Sequence, residues 1–141
     1  MSVERITVFV SPELAHIIQV TRIIGEAGVN GVMMSITRLQ MGDTIRLVVD
    51  DPIKAQTSLT DSGLLVKIDQ LIAVEIDDVP GSMAHFLEAI SKVNDTVGSI
   101  QVFPSGISRD KAIVLIESDQ PSLHDAIATA GYRELAYTDL T

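Results

Sequence analysis

The sequence contains no cysteine in its 141 residues. Without cysteine, neither disulfides nor thiolate metal sites nor thiol nucleophiles can contribute, and the fold must be stabilised by packing. No stretch approaches the roughly 18 apolar residues that a membrane span needs, and the first residues lack the apolar run of a secretory signal. We therefore expect a cytoplasmic protein with no membrane partner.

Basic residues are also scarce, because 10 Lys and Arg stand against 19 Asp and Glu, giving a formal net charge of -9. Nucleic acids are bound mainly through clusters of Lys and Arg, and no such cluster stands out. The sequence therefore predicts no nucleic-acid partner. Its apolar content of 46% is sufficient for a packed core, which argues against a disordered chain.

The two halves of the chain resemble each other. The segment Leu14-Ala-His-Ile-Ile recurs as Met83-Ala-His-Phe-Leu after 69 residues, and Gly28-Val-Asn-Gly-Val aligns with Thr96-Val-Gly-Ser-Ile at an offset of 68. The apolar residues of the first pair fall three and four positions apart, which places them on one face of a helix. We therefore expect one unit in residues 1–69 and a second unit in residues 70–141.

Both halves predict the same order of elements from the spacing of their apolar residues. In the first unit we expect strands at about 4–10, 32–38, 44–50 and 64–69, and helices at about 13–27 and 51–63. In the second unit we expect strands at about 71–77, 99–104, 111–117 and 132–138, and helices at about 81–94 and 120–130. This order indicates an α+β fold of two ferredoxin-like βαββαβ units, each an antiparallel sheet with its helices on one face.

Turn and cap residues support these boundaries. Met41-Gly42-Asp43 is typical of a hairpin turn, and Asp51 followed by Pro52 is typical of a helix start. Gly63 is suited to end that helix. Residues 64–76 contain no Gly, Pro or Ser, so we expect no flexible linker between the units.

One loop carries a more specific signature. Asp78-Val-Pro-Gly-Ser-Met83 resembles the D/N-x-P-G-x-L motif that opens the first helix of ACT domains. Glu26-Ala-Gly-Val-Asn30 resembles the G-(V/I)-N segment by which such domains enter their second strand. ACT domains are small-molecule-binding modules attached to many enzymes of amino-acid metabolism. With the matching element order, the chain resembles a tandem pair of ACT domains over nearly its whole length.

The chemistry of this loop suits an amino acid. A helix N-terminus presents N–H groups that can hold a carboxylate, and the Asp78 carboxylate can accept hydrogen bonds from an ammonium group. Pro80 presets the backbone for helix entry, and Gly81 has no side chain that would keep a ligand from the backbone. Asn30 offers a donor and an acceptor. The expected ligand-binding residues are Asp78, Val79, Pro80, Gly81, Ser82, Met83 and Asn30.

Each unit departs from the signature in a different place. The first unit has Val10-Ser-Pro-Glu-Leu14 where the Pro-Gly loop would stand, and the second has Val97-Gly98 where the asparagine would stand. We therefore expect a single composite site, formed by the Asp78 loop and Asn30 within one chain or between two chains. A simpler alternative is that Pro-Gly and Asn are turn residues alone.

The three histidines indicate no catalytic or metal-binding site. His16 and His85 are expected at the boundary of the helix packing and His124 on the surface, and no zinc-binding or phosphate-binding motif occurs. The sequence therefore predicts no catalytic residue, no metal and no cofactor.

The resemblance implies a non-catalytic, allosteric regulatory protein that binds a free amino acid. The presence of the amino acid would be transmitted to a partner, such as an enzyme of amino-acid metabolism, or would change the protein's own assembly as a homodimer. Nearby Met83, Val102 and Met34 favour a small aliphatic ligand. The alternative is a structural protein–protein interaction module whose ligand loops have decayed.

Overall fold

The computed structural model describes residues 3–11, 13–39, 42–91, 97–118 and 120–140. Several of the residues singled out above lie outside these ranges: Pro12 of the first strand–helix loop, Met41 of the hairpin turn, residues 92–94 of the expected helix, and Thr96.

Two compact units divide the chain at β4. One comprises Glu4–Asp69, and the other comprises the residues from Gln70 onward together with Val3. The elements of the first unit are β1 (Val3–Phe9), α1 (Leu14–Glu26), β2 (Gly31–Leu39), β3 (Gly42–Val49), α2 (Pro52–Asp61) and the first part of β4 (Leu65–Asp77). The second unit holds the rest of β4, α3 (Ser82–Ile90), β5 (Ser99–Pro104), β6 (Lys111–Glu117), α4 (Pro121–Thr129) and β7 (Glu134–Leu135), followed by a 3-10 turn (Tyr137–Asp139).

The sheet of each unit has the same plan. The strand order is β2-β3-β1-β4 in the first unit and β5-β6-β4-β7 in the second. The pairings β1–β3, β2–β3, β4–β6, β4–β7 and β5–β6 are antiparallel. The expected α+β fold of two βαββαβ units is therefore confirmed.

Hydrophobic burial holds the two helices of each unit against one face of its sheet. In the first unit the core joins Ile6 and Val8 of β1 to alternate residues of β3 and to both helices. In the second unit alternate residues of β4 and β6 pack against α3 and α4. The fully buried members, by unit, are Ile6, Val8, Val20, Ile45, Ala55 and Leu59, and then Val74, Phe86, Val114, Ile116 and Ile127.

The predicted caps of α2 are present. The Asp51 side chain accepts a hydrogen bond of 3.1 Å from the Lys54 N–H, and Pro52 occupies the first turn. Gly63 follows the helix with a φ of +86°, which an L side chain rarely adopts. The sequence alone therefore identified both ends of this helix.

The strand expected at 132–138 is much shorter than predicted, since β7 contains only Glu134 and Leu135. A local turn ends it. The Ala136 N–H donates to the Asp139 side chain at 2.9 Å, and the Asp139 N–H donates back to the Ala136 carbonyl at 3.0 Å. These two bonds stabilise a 3-10 turn in place of further strand pairing.

The offset of 69 between the first helices of the units is also wrong. Val20 and Ile24 are the buried residues of α1, and Phe86 and Ile90 are those of α3, so burial pairs the helices at an offset of 66. At 69, exposed Thr21 would correspond to buried Ile90. Apolar residues four apart match at more than one offset, and only packing selects the right one.

A buried ion pair joins β1 to β4 within the first unit. The side chain of Arg5 is 3% exposed and donates to Asp69 at 3.1 Å, while Thr7 donates to the same carboxylate oxygen at 3.2 Å. Lys67 reaches the other oxygen at 3.2 Å. Burial raises the pKa of Asp69, but hydrogen bonds from Arg5 and Lys67, with their charges, outweigh burial and hold the pKa below the usual value of an aspartate.

We predict that Asp69→Asn destabilises the protein by about 3 kcal/mol at pH 7, because the buried Arg5 guanidinium loses the negative charge of Asp69. A carboxyl group with a lowered folded pKa stabilises the protein above its unfolded pKa, and this contribution is lost as the pH falls through the folded pKa. Denaturant unfolding between pH 7 and pH 3 should therefore show a smaller acid loss for Asp69→Asn than for the wild type. Exposed Glu26→Gln is the control, and equal stability of Asp69→Asn and the wild type would contradict the prediction.

Candidate functional site

The loop between β4 and α3 is a tight turn. The Val79 carbonyl accepts a hydrogen bond of 3.2 Å from the Ser82 N–H. Pro80 is the second residue of the turn, and Gly81 is the third, with φ 91° and ψ -12°. These features are those of a type II β-turn, which requires a positive φ at its third residue and therefore favours glycine there.

Gly81 is also the N-cap of α3, and its carbonyl accepts from the His85 N–H at 3.0 Å. A Cβ atom at Gly81 would meet nothing within 4 Å. No protein atom therefore requires glycine here, but its positive φ does. The interpretation that glycine leaves room for a ligand stays a prediction.

The helix start is open to an anion. No side chain caps α3, and the N–H groups of Met83 and Ala84 lie in its first turn, where no intrahelical carbonyl reaches them. The positive end of the helix dipole adds to their attraction for negative charge. A carboxylate is a suitable partner for such a helix end.

A pocket of about 270 Å³ lies beside this turn. Three of the predicted site residues line it: Pro80, Gly81 and Ser82. Asp78 and Val79 are exposed and lie outside the lining, and Met83 packs against the core of the second unit. The other lining residues are Ile76, Asp77, His85 and Tyr132.

Two neighbouring carboxylates have different surroundings. Asp77 accepts a hydrogen bond of 2.5 Å from Lys111. This bond, followed by the charge of Asp77 and more weakly those of Asp110 and Glu75, raises the pKa of Lys111. Asp78 is exposed, and only its backbone is bonded, to the Asp110 carbonyl at 2.9 Å. Among the described residues, Asp78 is therefore the carboxylate of this loop that remains available.

Sequence reasoning missed Asp77 and Tyr132, and it gave His85 only a place at the packing boundary. Tyr132 follows α4 and reaches the pocket through the fold, where its ring contacts Phe86 edge-on with centroids 4.9 Å apart. No local motif marks Tyr132, since its position depends on how α4 packs on α3. His85 could have been found from its spacing, because it lies three residues after Ser82 on the same side of α3.

The corresponding loop of the first unit is arranged differently. Glu13 is the N-cap of α1, and its backbone is extended, with φ -68° and ψ 144°. No glycine with positive φ precedes this helix. His16 Nδ1 lies 2.8 Å from the Ser11 hydroxyl and 3.0 Å from the Ser11 carbonyl oxygen. Here a histidine contacts its own loop.

Asn30 lies in the first unit, just before β2. Its N–H donates to the Asp50 carboxylate at 3.1 Å, and its carbonyl accepts from the Asp50 N–H at 3.0 Å. Its side chain is exposed. In the second unit, a Cβ at Gly98 would lie 2.6 Å from Oε2 of Glu117. The other oxygen of this carboxylate, Oε1, accepts a hydrogen bond of 3.3 Å from the Ser99 hydroxyl. A larger residue at 98 therefore requires Glu117 to move.

Within the described residues, no group of three or more His, Asp or Glu side chains is placed to hold a metal ion. No described helix is long and apolar enough to cross a membrane.

We predict that Gly81→Ala destabilises the protein by about 1–2 kcal/mol, because an L residue there must adopt left-handed backbone angles. Gly106→Ala is the matched control, since a Cβ there also meets open space and the residue has no positive φ. Denaturant unfolding of both variants measures the difference. Equal stabilities would show that the turn tolerates another conformation.

Comparison with known proteins agrees with this fold. A family model described as "ACT domain pair" matches residues 1–133. A solved protein of Bacteroides thetaiotaomicron has 21% sequence identity and a TM-score of 0.87, covering 99% of this chain and 96% of that one. The regulatory subunit of aspartate kinase from Thermus thermophilus, in its ligand-free form, has 14% identity and a TM-score of 0.65, covering 93% and 94%.

The corresponding subunit from Thermus flavus has 14% identity and a TM-score of 0.60, covering 92% of this chain and 93% of that one. At such identities these likenesses show the fold alone. Among curated proteins, none matches the sequence. The family model spans nearly all of both units, and the chain therefore belongs to the family of ACT domain pairs.

Proposed function

We propose that the chain is a cytoplasmic, non-catalytic regulatory protein that binds a free amino acid at the β4–α3 loop. The chain belongs to the family of ACT domain pairs, and ACT domains are regulatory modules. One observation carries the ligand proposal: a type II turn holds the uncapped start of α3 beside an open pocket. The same turn leaves the Asp78 carboxylate exposed at its edge.

Each charged group of an amino acid has a counterpart at this loop. The α-carboxylate binds the Met83 and Ala84 N–H groups at the start of α3. The ammonium group donates to Asp78, a charge-assisted hydrogen bond. The side chain enters the pocket. Asn30, supplied by the first unit of the same chain or of a second copy, completes the site with its amide group.

The differences between the two loops support one site per chain. In the first unit the Ser11–His16 contact occupies the loop, and the Glu13 carboxylate precedes the helix where an anion would bind. In the second unit Gly98 brings no side chain that could replace an asparagine. The second unit therefore supplies the Asp78 loop, and the first unit supplies Asn30.

We predict that one or a few of the twenty amino acids raise the melting temperature, because binding to the folded state adds RT ln(1 + [L]/Kd) to its stability.

Asp78→Ala and Asn30→Ala should each weaken binding by about 1–3 kcal/mol, since a polar partner in the complex is lost. Ser11→Ala is the matched control and should change little. Calorimetric titration should give one ligand per chain.

Three results would contradict this site. They are two ligands per chain, equal losses from Ser11→Ala and Asp78→Ala, and a flat thermal response to millimolar amino acids. Mixing Asp78→Ala protein with Asn30→Ala protein decides where the site forms. Restored binding in the mixture places it between chains, and no restoration places it within one chain.

Exposed aliphatic residues support a second part of the proposal, a homodimer. Met34 and Ile36 lie on β2, and Ile100 and Val102 on β5, all between 36% and 49% exposed. Each of these strands is the edge of its own unit's sheet, and such edges favour pairing with another strand. The transmitted signal is then a change in assembly or in a contact with an enzyme of amino-acid metabolism. The same surface supports the alternative, a structural interaction module that binds no amino acid.

We predict a solution mass near twice the 15.2 kDa of one chain by light scattering at micromolar concentration. Met34→Lys should shift the mass toward the monomer, because a charge at the edge strand opposes pairing. Ile53→Lys is the control, since Ile53 is exposed on α2 and not on an edge strand. A wild-type mass of one chain would contradict the homodimer.

A further inference from the structure

We propose that the pocket at the β4–α3 loop selects an amino acid with an uncharged, hydrogen-bonding side chain, a hydroxyl or a carboxamide. This inference rests on the proposed function and names the ligand class of the same site. Its basis is the set of residues that line the pocket, most of which are polar.

Three of the lining residues carry side-chain donors: Ser82, His85 and Tyr132. Among the described residues, none of these three side chains forms a hydrogen bond or an ion pair. Each group can therefore bond to a ligand without breaking a protein contact. Three such donors around a volume of about 270 Å³ match a side chain with one or two polar atoms.

Tyr132 is held in place by contacts of its ring and of its backbone. Its ring packs edge-on against buried Phe86 at an interplanar angle of 79°, and its N–H donates to the Ile127 carbonyl at 3.1 Å. Ser82 and His85 lie three residues apart in the first turns of α3 and thus on one side of the helix. The polar groups are held by α3 and by the segment after α4 before any ligand binds.

An aliphatic side chain fits this lining poorly. Ile76 and Pro80 are the aliphatic side chains of the described lining, beside the ring of Tyr132. An aliphatic ligand would displace water from the donors and give them no partner, which costs binding energy. The expectation of an aliphatic ligand depended on Met83, Val102 and Met34, and none of these residues lines the pocket.

Charged side chains are disfavoured for a different reason. Lys111 is hydrogen-bonded to Asp77 and interacts electrostatically with Asp110 and Glu75. Three carboxylates around one lysine give this region a net negative charge, which repels a further carboxylate. A basic side chain finds no available counter-charge in the lining, because Asp77 is the one acidic residue among the described lining and Lys111 already binds it. Asp78 lies outside the lining and binds the ammonium group of the ligand in the proposed site. An uncharged polar side chain avoids both costs.

The test uses two ligand pairs of nearly equal shape, threonine with valine and asparagine with leucine, titrated into the full chain by calorimetry. We expect the polar member of at least one pair to bind with a Kd lower by about tenfold or more, the effect of one satisfied hydrogen bond to a confined donor. The double variant His85→Ala/Tyr132→Phe should reduce that ratio by at least about fivefold, the effect of losing two donors. Binding of the apolar member should change less than binding of the polar one.

His16→Ala is the matched control, since this histidine contacts the loop of the first unit, and it should leave the ratio unchanged. If the double variant does not fold by circular dichroism, the wild-type ratios decide alone. Equal or tighter binding of valine and leucine overturns this inference and leaves the proposed function intact. An unchanged ratio in a folded double variant also overturns it. If no amino acid binds at all, both fail.

Discussion

Both units depend on the backbone pairing of a single strand. β4 runs for 13 residues without interruption. It hydrogen-bonds to β1 in the first unit and to β6 and β7 in the second. Every peptide group of a buried strand needs a partner, because an unsatisfied N–H or carbonyl costs free energy. The strand therefore serves as the last strand of the first unit with its first part and as the first strand of the second unit with its second part. The Arg5–Asp69 pair and the Asp77–Lys111 pair lie at the two parts of the strand.

Features fixed by neighbouring residues could be predicted from the sequence. The order of elements follows from apolar periodicity, and the α2 caps follow from Asp51, Pro52 and Gly63. The uninterrupted course of β4 agrees with the absence of Gly, Pro and Ser in residues 64–76. The length of β7 was overestimated because the Ala136 N–H donates to the Asp139 side chain, three residues further on, instead of to a neighbouring strand. The helix offset was wrong because an apolar pattern does not state which of its positions is buried.

In the candidate site, too, some features could be predicted from neighbouring residues and others could not. The turn from Val79 to Ser82 was visible in the sequence, since Pro and Gly have conformational preferences of their own. The pocket beside it was not visible, because Tyr132 is 50 residues further along the chain than Ser82 and meets it only through the packing of α4 against α3. The ion pair of Asp77 was likewise invisible, since Lys111 faces it across the β4–β6 register. Local conformation can be predicted from local sequence, whereas the lining of a pocket depends on tertiary contacts.

The continuity of β4 has a consequence for how such a protein is degraded. Proteases cleave chain segments that can leave the fold, and the junction between the units lies within a strand instead of a loop. A cut at this junction would require strand residues to leave their pairing with β1 before the junction or with β6 and β7 after it. Limited proteolysis therefore reaches the loops of each unit before it separates the two units, whereas two domains joined by a loop separate at the first cut.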